Sequence, residues 1–470
     1  MRTLRLLCIT GLVFALGLPV AAQSTFVLTV APANAQTVLT SHGLTVIKEI
    51  HDGANCVYLV RSASADVASV ETEVEKDLLV AGFEPEQSIG LPELSGATQS
   101  NLTQATATVT GTLPGRTLVT FFGSTVPSNY TSQAATSIVR LDDARNATHL
   151  TGAGTVAIID TGADPNHPAL AGVFVGGYDF TRDTIGFSEL ADLDPNTAAA
   201  LQQSISPILG SQNVYILNPY TAAILDQSIS PILGQSISPI LGGTGDFGHG
   251  TMVAGVVHLV APTAKIMPLK AFRADGTSNL SDIINAVYYA ADNGANVISM
   301  SFSMPQSSPG LQTAIQYALN KNIAVVAASG NDGQKTLVFP ASYGGVQGIG
   351  STDSNDARST FSNYGSGVTA FAAPGEAVIT TFPGGYYAAG WGTSFSAPMF
   401  AGAASLVLQA RPLSKPGDVT NALSKTKQVS DMGYGRIDLY QSLTNLFSGS
   451  TSTSGGSGTS GSNTSGSSKP

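Results

Sequence analysis

The chain has 470 residues, 43% hydrophobic and only 11% charged, with 31 acidic against 21 basic side chains and a formal net charge of −10. That balance excludes nucleic-acid binding by charge and argues against wholesale disorder, which needs low hydrophobicity and high charge. Two cysteines exclude a disulfide scaffold, and the length implies two or three folding units.

Residues 1–22 read as an export signal. Arg2 and Arg5 give a positive start, Leu6 to Val20 form an apolar run, and Val20-Ala21-Ala22 offers the small residues of a cleavage site. The run is short for a membrane anchor, and Cys8 lies too early for a lipid attachment. No other stretch is long and apolar enough to span a bilayer. The mature protein is therefore expected to be secreted, extracellular or periplasmic, with no membrane contact after signal cleavage.

Residues 23–95 read as a small α+β unit. Strands at 44–50 and 56–61 flank turn-forming residues 51–55, a hairpin signal. Val67, Val70, Val74 and Leu78 then recur at helical spacing over 65–79, with Ser64 placed to cap the start and Asp66 in the first turn. Phe83-Glu84-Pro85 begins a closing extended stretch. The Thr/Ser-rich residues 96–136 read as a linker or surface strands.

From 137 to 446 the texture is α/β. Short apolar runs at 156–159, 266–272, 297–300 and 323–328 alternate with helical stretches at 251–260, 281–293 and 311–320. Such alternation predicts a mostly parallel sheet covered on both faces. The octapeptide QSISPILG interrupts this plan at 203–210, 227–234 and 235–242. Its period is too short for a solenoid, and the proline in each copy opposes a helix or central strand. Residues 203–242 read as a duplicated surface insertion, with a flap or binding loop beside the active site as the alternative. The Ser/Gly-rich residues 447–470 cannot offset their ordering entropy by burial and read as a flexible tail.

Three segments carry chemistry. The strand-like Val156-Ala157-Ile158-Ile159 ends in Asp160-Thr161-Gly162, which delivers a carboxylate to the carboxyl edge of a sheet. Gly248-His249-Gly250-Thr251 opens a helix of small residues. Gly392-Thr393-Ser394-Phe395-Ser396-Ala397-Pro398 puts Ser394 at the start of a helix to about 410, with Pro398 read as lying in its first turn. Taken singly these are a turn, a packed histidine and a helix cap. Together they give the chain order Asp, His, Ser, one of the three known orders of the serine-protease triad.

On these residues the chain resembles the subtilisin-like serine peptidases. The likeness extends through Asn166-His167-Pro168, Met252-Val253-Ala254-Gly255, Ser329-Gly330-Asn331, Phe361-Ser362-Asn363-Tyr364-Gly365 and Ala373-Pro374-Gly375. It implies a three-layer subtilisin-like fold and a serine endopeptidase working through an acyl-enzyme. Ser394 would be the nucleophile, His249 the general base and Asp160 the residue that fixes the imidazole, with Asn331 and the Ser394 N–H as oxyanion donors. The segment Ser301-Phe302-Ser303 would pair with the substrate backbone, opposite a wall that includes Ala328 and Ser329. Here the sequence departs from the family, because a common glycine is replaced by Ser303, which is followed by Met304. The resemblance also implies that 23–95 is an inhibitory prodomain, that the substrate is protein or peptide, and that the enzyme is a monomer. No cofactor is required. The family's calcium loop after the catalytic histidine has no counterpart and no clear carboxylate cluster marks another site, so a structural calcium is left open without a recognisable site. Histidines 42, 51, 149, 167 and 258 have no ligand spacing and read as structural. Two other readings are a catalytically silent binding protein of this fold and a processing protease of narrow specificity.

Overall fold

The computed structural model describes residues 23–91, 117–193, 195 and 247–448. The expected export signal, the QSISPILG repeats and the expected tail beyond Ser448 lie outside these residues. Two compact units divide the chain, Met1–Glu86 and Gln87–Pro470.

The first unit contains β1 (Ser24–Val30), α1 (Ala35–Ser41), β2 (Thr45–His51), β3 (Cys56–Ser62), α2 (Val67–Val74) and β4 (Val80–Pro85). Its antiparallel sheet runs β2-β3-β1-β4. Phe26, Leu28, Val30, Val38, Val60, Val74 and Phe83 form its core, with Phe26 and Phe83 stacked 4.6 Å apart. The hairpin is where the sequence places it. The helix is shorter than expected and its cap is different. Asp66 accepts from the Ser69 N–H at 3.1 Å, whereas the Ser64 hydroxyl accepts from the N–H of Asp66 itself. Helix α2 stops at Val74, and Asp77 then turns the chain by accepting from the Leu79 N–H, which leaves Leu78 fully exposed.

The second unit begins with β5 (Ser88–Gly90), so the expected boundary at 95 falls several residues late. Over its described part the segment expected to be a linker or surface strands begins with strands and is not a linker. Residues 117–136 form the hairpin β6 (Leu118–Phe121) and β7 (Ser124–Pro127), then α3 (Ser128–Thr131) and the start of α4 (Ala134–Ile138). Phe121, Val126 and Tyr130 are buried against Leu259 and Trp391, and the Tyr130 hydroxyl donates to Gly255 O at 2.7 Å. A few aromatic anchors in a polar segment are enough to fix it. Helix α5 (Leu141–Thr148) follows.

The central sheet has the order β10-β9-β11-β8-β13-β14-β15-β16-β20-β19. Its strands are β8 (Thr155–Asp160), β9 (Tyr178–Asp179), β10 (Thr184–Ile185), β11 (Lys265–Lys270), β13 (Val297–Met300), β14 (Ala324–Ala328), β15 (Gln347–Thr352), β16 (Phe371–Pro374), β19 (Thr426–Lys427) and β20 (Arg436–Ile437). All pairings are parallel except those at the two edges, β10 with β9 and β19 with β20. The strand between β11 and β13 in sequence, β12 (Thr277–Asn279), pairs with β5 instead. Val156, Ile158, Val326 and Ile349 join one core with the helices α6 (His249–Val260) and α9 (Thr393–Ala410). Alternation along the strands sends Ala157, Ile159, Ile298 and Val325 to the other face, where α7 (Leu280–Asp292) and α8 (Pro309–Asn320) lie. The result is a three-layer α/β architecture, as the alternating pattern predicts. The order β8-β13-β14 brings the carboxyl ends of three neighbouring strands side by side, at Asp160, Ser301 and Asn331.

Candidate active site

Asp160 ends β8 and is completely buried. Its Oδ1 accepts from the Thr161 N–H at 2.7 Å and lies 2.7 Å from His249 Nδ1. Its main-chain oxygen accepts from Ala271 and Phe272, which fastens the strand end to the chain leaving β11. His249 opens α6 behind Gly248, whose φ of +93° makes the turn into the helix. The two segments are pressed together: a Cβ on Gly250 would stand 2.0 Å from the carbonyl oxygen of Gly162. Nothing but glycine fits there. With Nδ1 committed to Asp160, Nε2 is the ring nitrogen that can exchange a proton with a substrate-side group. The imidazole lies 5.8 Å from the ring of Phe395, the residue after Ser394.

Ser394 is the second residue of α9, behind Gly392. Pro398 is the sixth helical residue, beyond the first turn where the sequence reading put it. It removes the N–H that would bond to the carbonyl of Ser394. The Ser301 hydroxyl takes its place, donating to Ser394 O at 2.9 Å. The Ser394 hydroxyl in turn donates to Ser301 O at 3.2 Å. A proline in α9 thus links the helix to the end of β13.

Asn331 follows β14 and is buried. Its Oδ1 accepts from both the N–H and the hydroxyl of Thr393, each at 2.9 Å. That fixes which way the amide points and makes Nδ2 its outward donor. The bond also ties Asn331 to the residue preceding Ser394.

The expected substrate segment divides by depth. Ser301, Ala328 and Ser329 are buried, and Ser303 is half-buried. Phe302 turns its ring inward, 5.1 Å from Phe272, so only its backbone is available for strand pairing. Met304 is buried and its backbone pairs with Phe339, so its side chain does not point to solvent.

Sequence reasoning missed the charges beneath the site. Lys270, fully buried at the end of β11, donates to Thr161 O and Phe272 O, both at 2.8 Å, and to Asp192 at 2.7 Å. A lysine closing an apolar strand opposite Asp160 was the available signal. Glu189, on a short 3₁₀ turn (Glu189–Asp192), is buried beside Thr161 and Thr251. Nothing in its local sequence marks it. Burial first, and the neighbouring Asp160 as well, push its carboxyl up from the ordinary value, while the two threonine hydroxyls and Lys270 pull it back. Among the described residues no group of three or more His, Cys, Asp or Glu is placed to hold a metal ion. No helix among them is long and apolar enough to cross a membrane.

Residues 152–458 match the subtilase family. Subtilisin BL of Lederbergia lenta is 38% identical over 188 residues, covering 38% of this chain and 70% of that protein. Thermitase of Thermoactinomyces vulgaris is 32% identical over 304 residues, 61% of this chain and 88% of that one. The thermophilic serine proteinase of Bacillus sp. (strain AK1) is 32% identical over 298 residues, 62% of this chain and 61% of that one. The match spans more than half of the chain, which belongs to the subtilase family. It is accordingly a serine-type endopeptidase, acting on protein or peptide substrates.

Proposed function

We propose that Asp160, His249 and Ser394 are the catalytic triad of a secreted, self-processing endopeptidase. The observation that carries this is the 2.7 Å Asp160–His249 bond, formed at the sheet edge where Ser394 and the oriented amide of Asn331 also arrive. The Ser394 hydroxyl leaves Ser301 O, gives its proton to His249 Nε2 and attacks the scissile carbonyl. Asp160 holds the imidazole tautomer and stabilises the imidazolium. The new oxyanion is met by Asn331 Nδ2 and the Ser394 N–H, both preorganised by neighbouring bonds. His249 then protonates the departing amine, and water repeats the sequence to release the acyl group.

Self-processing and secretion are the finer part of the proposal. The leader-like composition of residues 1–22 supports export. Strand β5 supports inhibition by the amino-terminal region. It adds antiparallel to β12, with the Leu91 N–H on Gly276 O at 3.0 Å and the Leu280 N–H on Gln87 O at 2.9 Å, and it buries Ile89 and Leu91. Strand addition is how an extended substrate would be held. Residues 23–86 would then serve as the folded body of a prodomain whose tail occupies the substrate groove.

The test is expression of the precursor and its Ser394→Ala form, followed by mass measurement, peptide-library hydrolysis and labelling by a serine-directed inhibitor. Wild type is expected to shorten, cleave and label, and the variant to do none of these. A wild type that stays full length would end the self-processing reading. One that neither cleaves nor labels would end the triad assignment.

A further inference from the structure

Glu189 bonds to both segments that carry the acid–base pair. Its Oε1 accepts from the hydroxyl of Thr161, the residue after Asp160, and from the N–H of Gly250, the residue after His249, the latter at 3.1 Å. Its Oε2 accepts from the hydroxyl of Thr251. Each hydroxyl already accepts one bond and turns its proton toward the carboxylate, the Thr161 hydroxyl also lying 3.3 Å from Asp160 Oδ1. Thr161 Oγ1 already accepts from the Gly250 N–H at 2.9 Å, and Thr251 Oγ1 from the Asp164 N–H at 2.8 Å. Three donors converging on two oxygens suit a carboxylate, and its position at the N-terminus of α6 suits a negative charge. Lys270 spends its three protons on Thr161 O, Phe272 O and Asp192, so it fixes the same strand end from the other side.

We infer that Glu189 is a positioning residue of the proteolytic reaction, holding the Asp160 strand end and the His249 helix start in the register that their hydrogen bond requires. The inference rests on the triad assignment proposed above. Glu189 has no path to substrate of its own. It acts through His249, by geometry and by adding a second negative charge beneath the imidazole. The charged and titratable groups around it are Asp160 and Asp164 on the β8 side, His249 on α6, Lys270 on β11 and Asp192 on its own turn.

The test compares wild type, Glu189→Gln, Thr251→Val and Thr251→Ser as full-length precursors after processing, with active sites counted by a serine-directed inhibitor. Glu189→Gln keeps the shape but removes the charge and one acceptor. Its kcat per titrated site is expected to fall about tenfold, with KM unchanged, since small misplacements of a catalytic group act on rate. The acid limb of kcat/KM should move to lower pH by about half a unit, because imidazolium loses a favourable neighbour. Thr251→Val should lower kcat in the same way without the pH shift, and Thr251→Ser should restore it. If Glu189→Gln does not fold, the Thr251 pair decides: equal kcat per site for valine and serine overturns the inference. A Glu189→Gln enzyme with fewer active sites, but wild-type kcat per site and an unmoved pH limb, overturns it as well, because Glu189 would then be structural only. Wild type that fails to titrate overturns the triad assignment rather than this one.

Discussion

Helix α6 carries a buried histidine near each end, and the two meet opposite surroundings. His249, at its first residue, lies against Asp160, and the Glu189 carboxylate caps the same end. His258, near the other end, is packed at right angles to the ring of Phe121 with the half-buried Arg145 guanidinium beside it. Arg145 donates to the carbonyls of Leu259 and Val260, so each terminus of the helix is met by the charge that complements its dipole. The imidazole at the acidic end has a carboxylate partner at Nδ1. At the basic end, burial first and then Arg145 and His167 push His258 down to about 4. One fold element therefore holds a histidine that the proposed triad has accept a proton during turnover and another arranged to refuse one.

The sharpest way to break this contrast is to remove the charge at the acidic end. Asp160→Asn keeps the shape but no longer selects the tautomer or stabilises the imidazolium, and kcat should drop about ten-thousandfold. Hydrolysis of a peptide ester or anilide by inhibitor-titrated enzyme measures it. A drop below tenfold would mean that Asp160 is not the partner on which His249 depends.

The other end predicts a stability effect. The folded value of His258 lies near 4, below the ordinary value of 6.5, so between these the unfolded chain binds a proton that the folded chain does not. Stability from this group is complete above about 6.5, declines as the pH falls and levels off below about 4. The loss amounts to about 3 kcal/mol at most. Among the described residues nothing hydrogen-bonds His258 Nδ1, so no partner offsets the buried charge. Urea unfolding of the Ser394→Ala protein at pH 7 and pH 4.5 measures the decline, and His258→Phe should flatten it. Parallel curves for the two proteins would show that His258 does not set acid lability.

How far the sequence disclosed this site depends on whether a residue's partners are local. Asp160, His249, Ser394 and Asn331 each sit at or just beyond the end of a periodic element, within two residues of a glycine, so pattern and position together reveal them. The strand and helix runs of the catalytic unit follow the same logic and fall within a residue or two of their expected bounds. What stayed hidden depends on long-range contact. Glu189 meets Thr251 from 62 positions away, and Ser301 meets Ser394 from 93. Residues 117–136 looked like a linker because their composition is polar. Tyr130 and Phe121 anchor them against a helix more than a hundred positions later. The α2 cap was misplaced because Ser64 and Asp66 both suit the role, and only the backbone geometry chooses between them.

The side of the proposed nucleophile differs from the acid–base side in that the bonds described for Ser301, Ser394, Asn331 and Thr393 join neutral groups, and this gives the two smaller predictions. Asn331→Ala removes the proposed oxyanion donor, and kcat should fall about a hundredfold with KM little changed. The acid limb of the pH profile should stay in place, since no charge near His249 has been altered. Ser301→Ala is the gentlest change. It leaves the carbonyl of Ser394 buried without the hydroxyl that replaces the missing Pro398 N–H, at a cost of about 1 kcal/mol. Because that carbonyl belongs to the nucleophile itself, a loosened first turn of α9 should appear as a kcat reduced by less than about tenfold, together with a slightly lower Tm. If Ser301→Ala lowered Tm alone, the Ser301–Ser394 pair would stabilise the helix without steadying the nucleophile. If it moved the pH limb, the separation between a charge-held acid–base side and a dipole-held nucleophile side would be wrong.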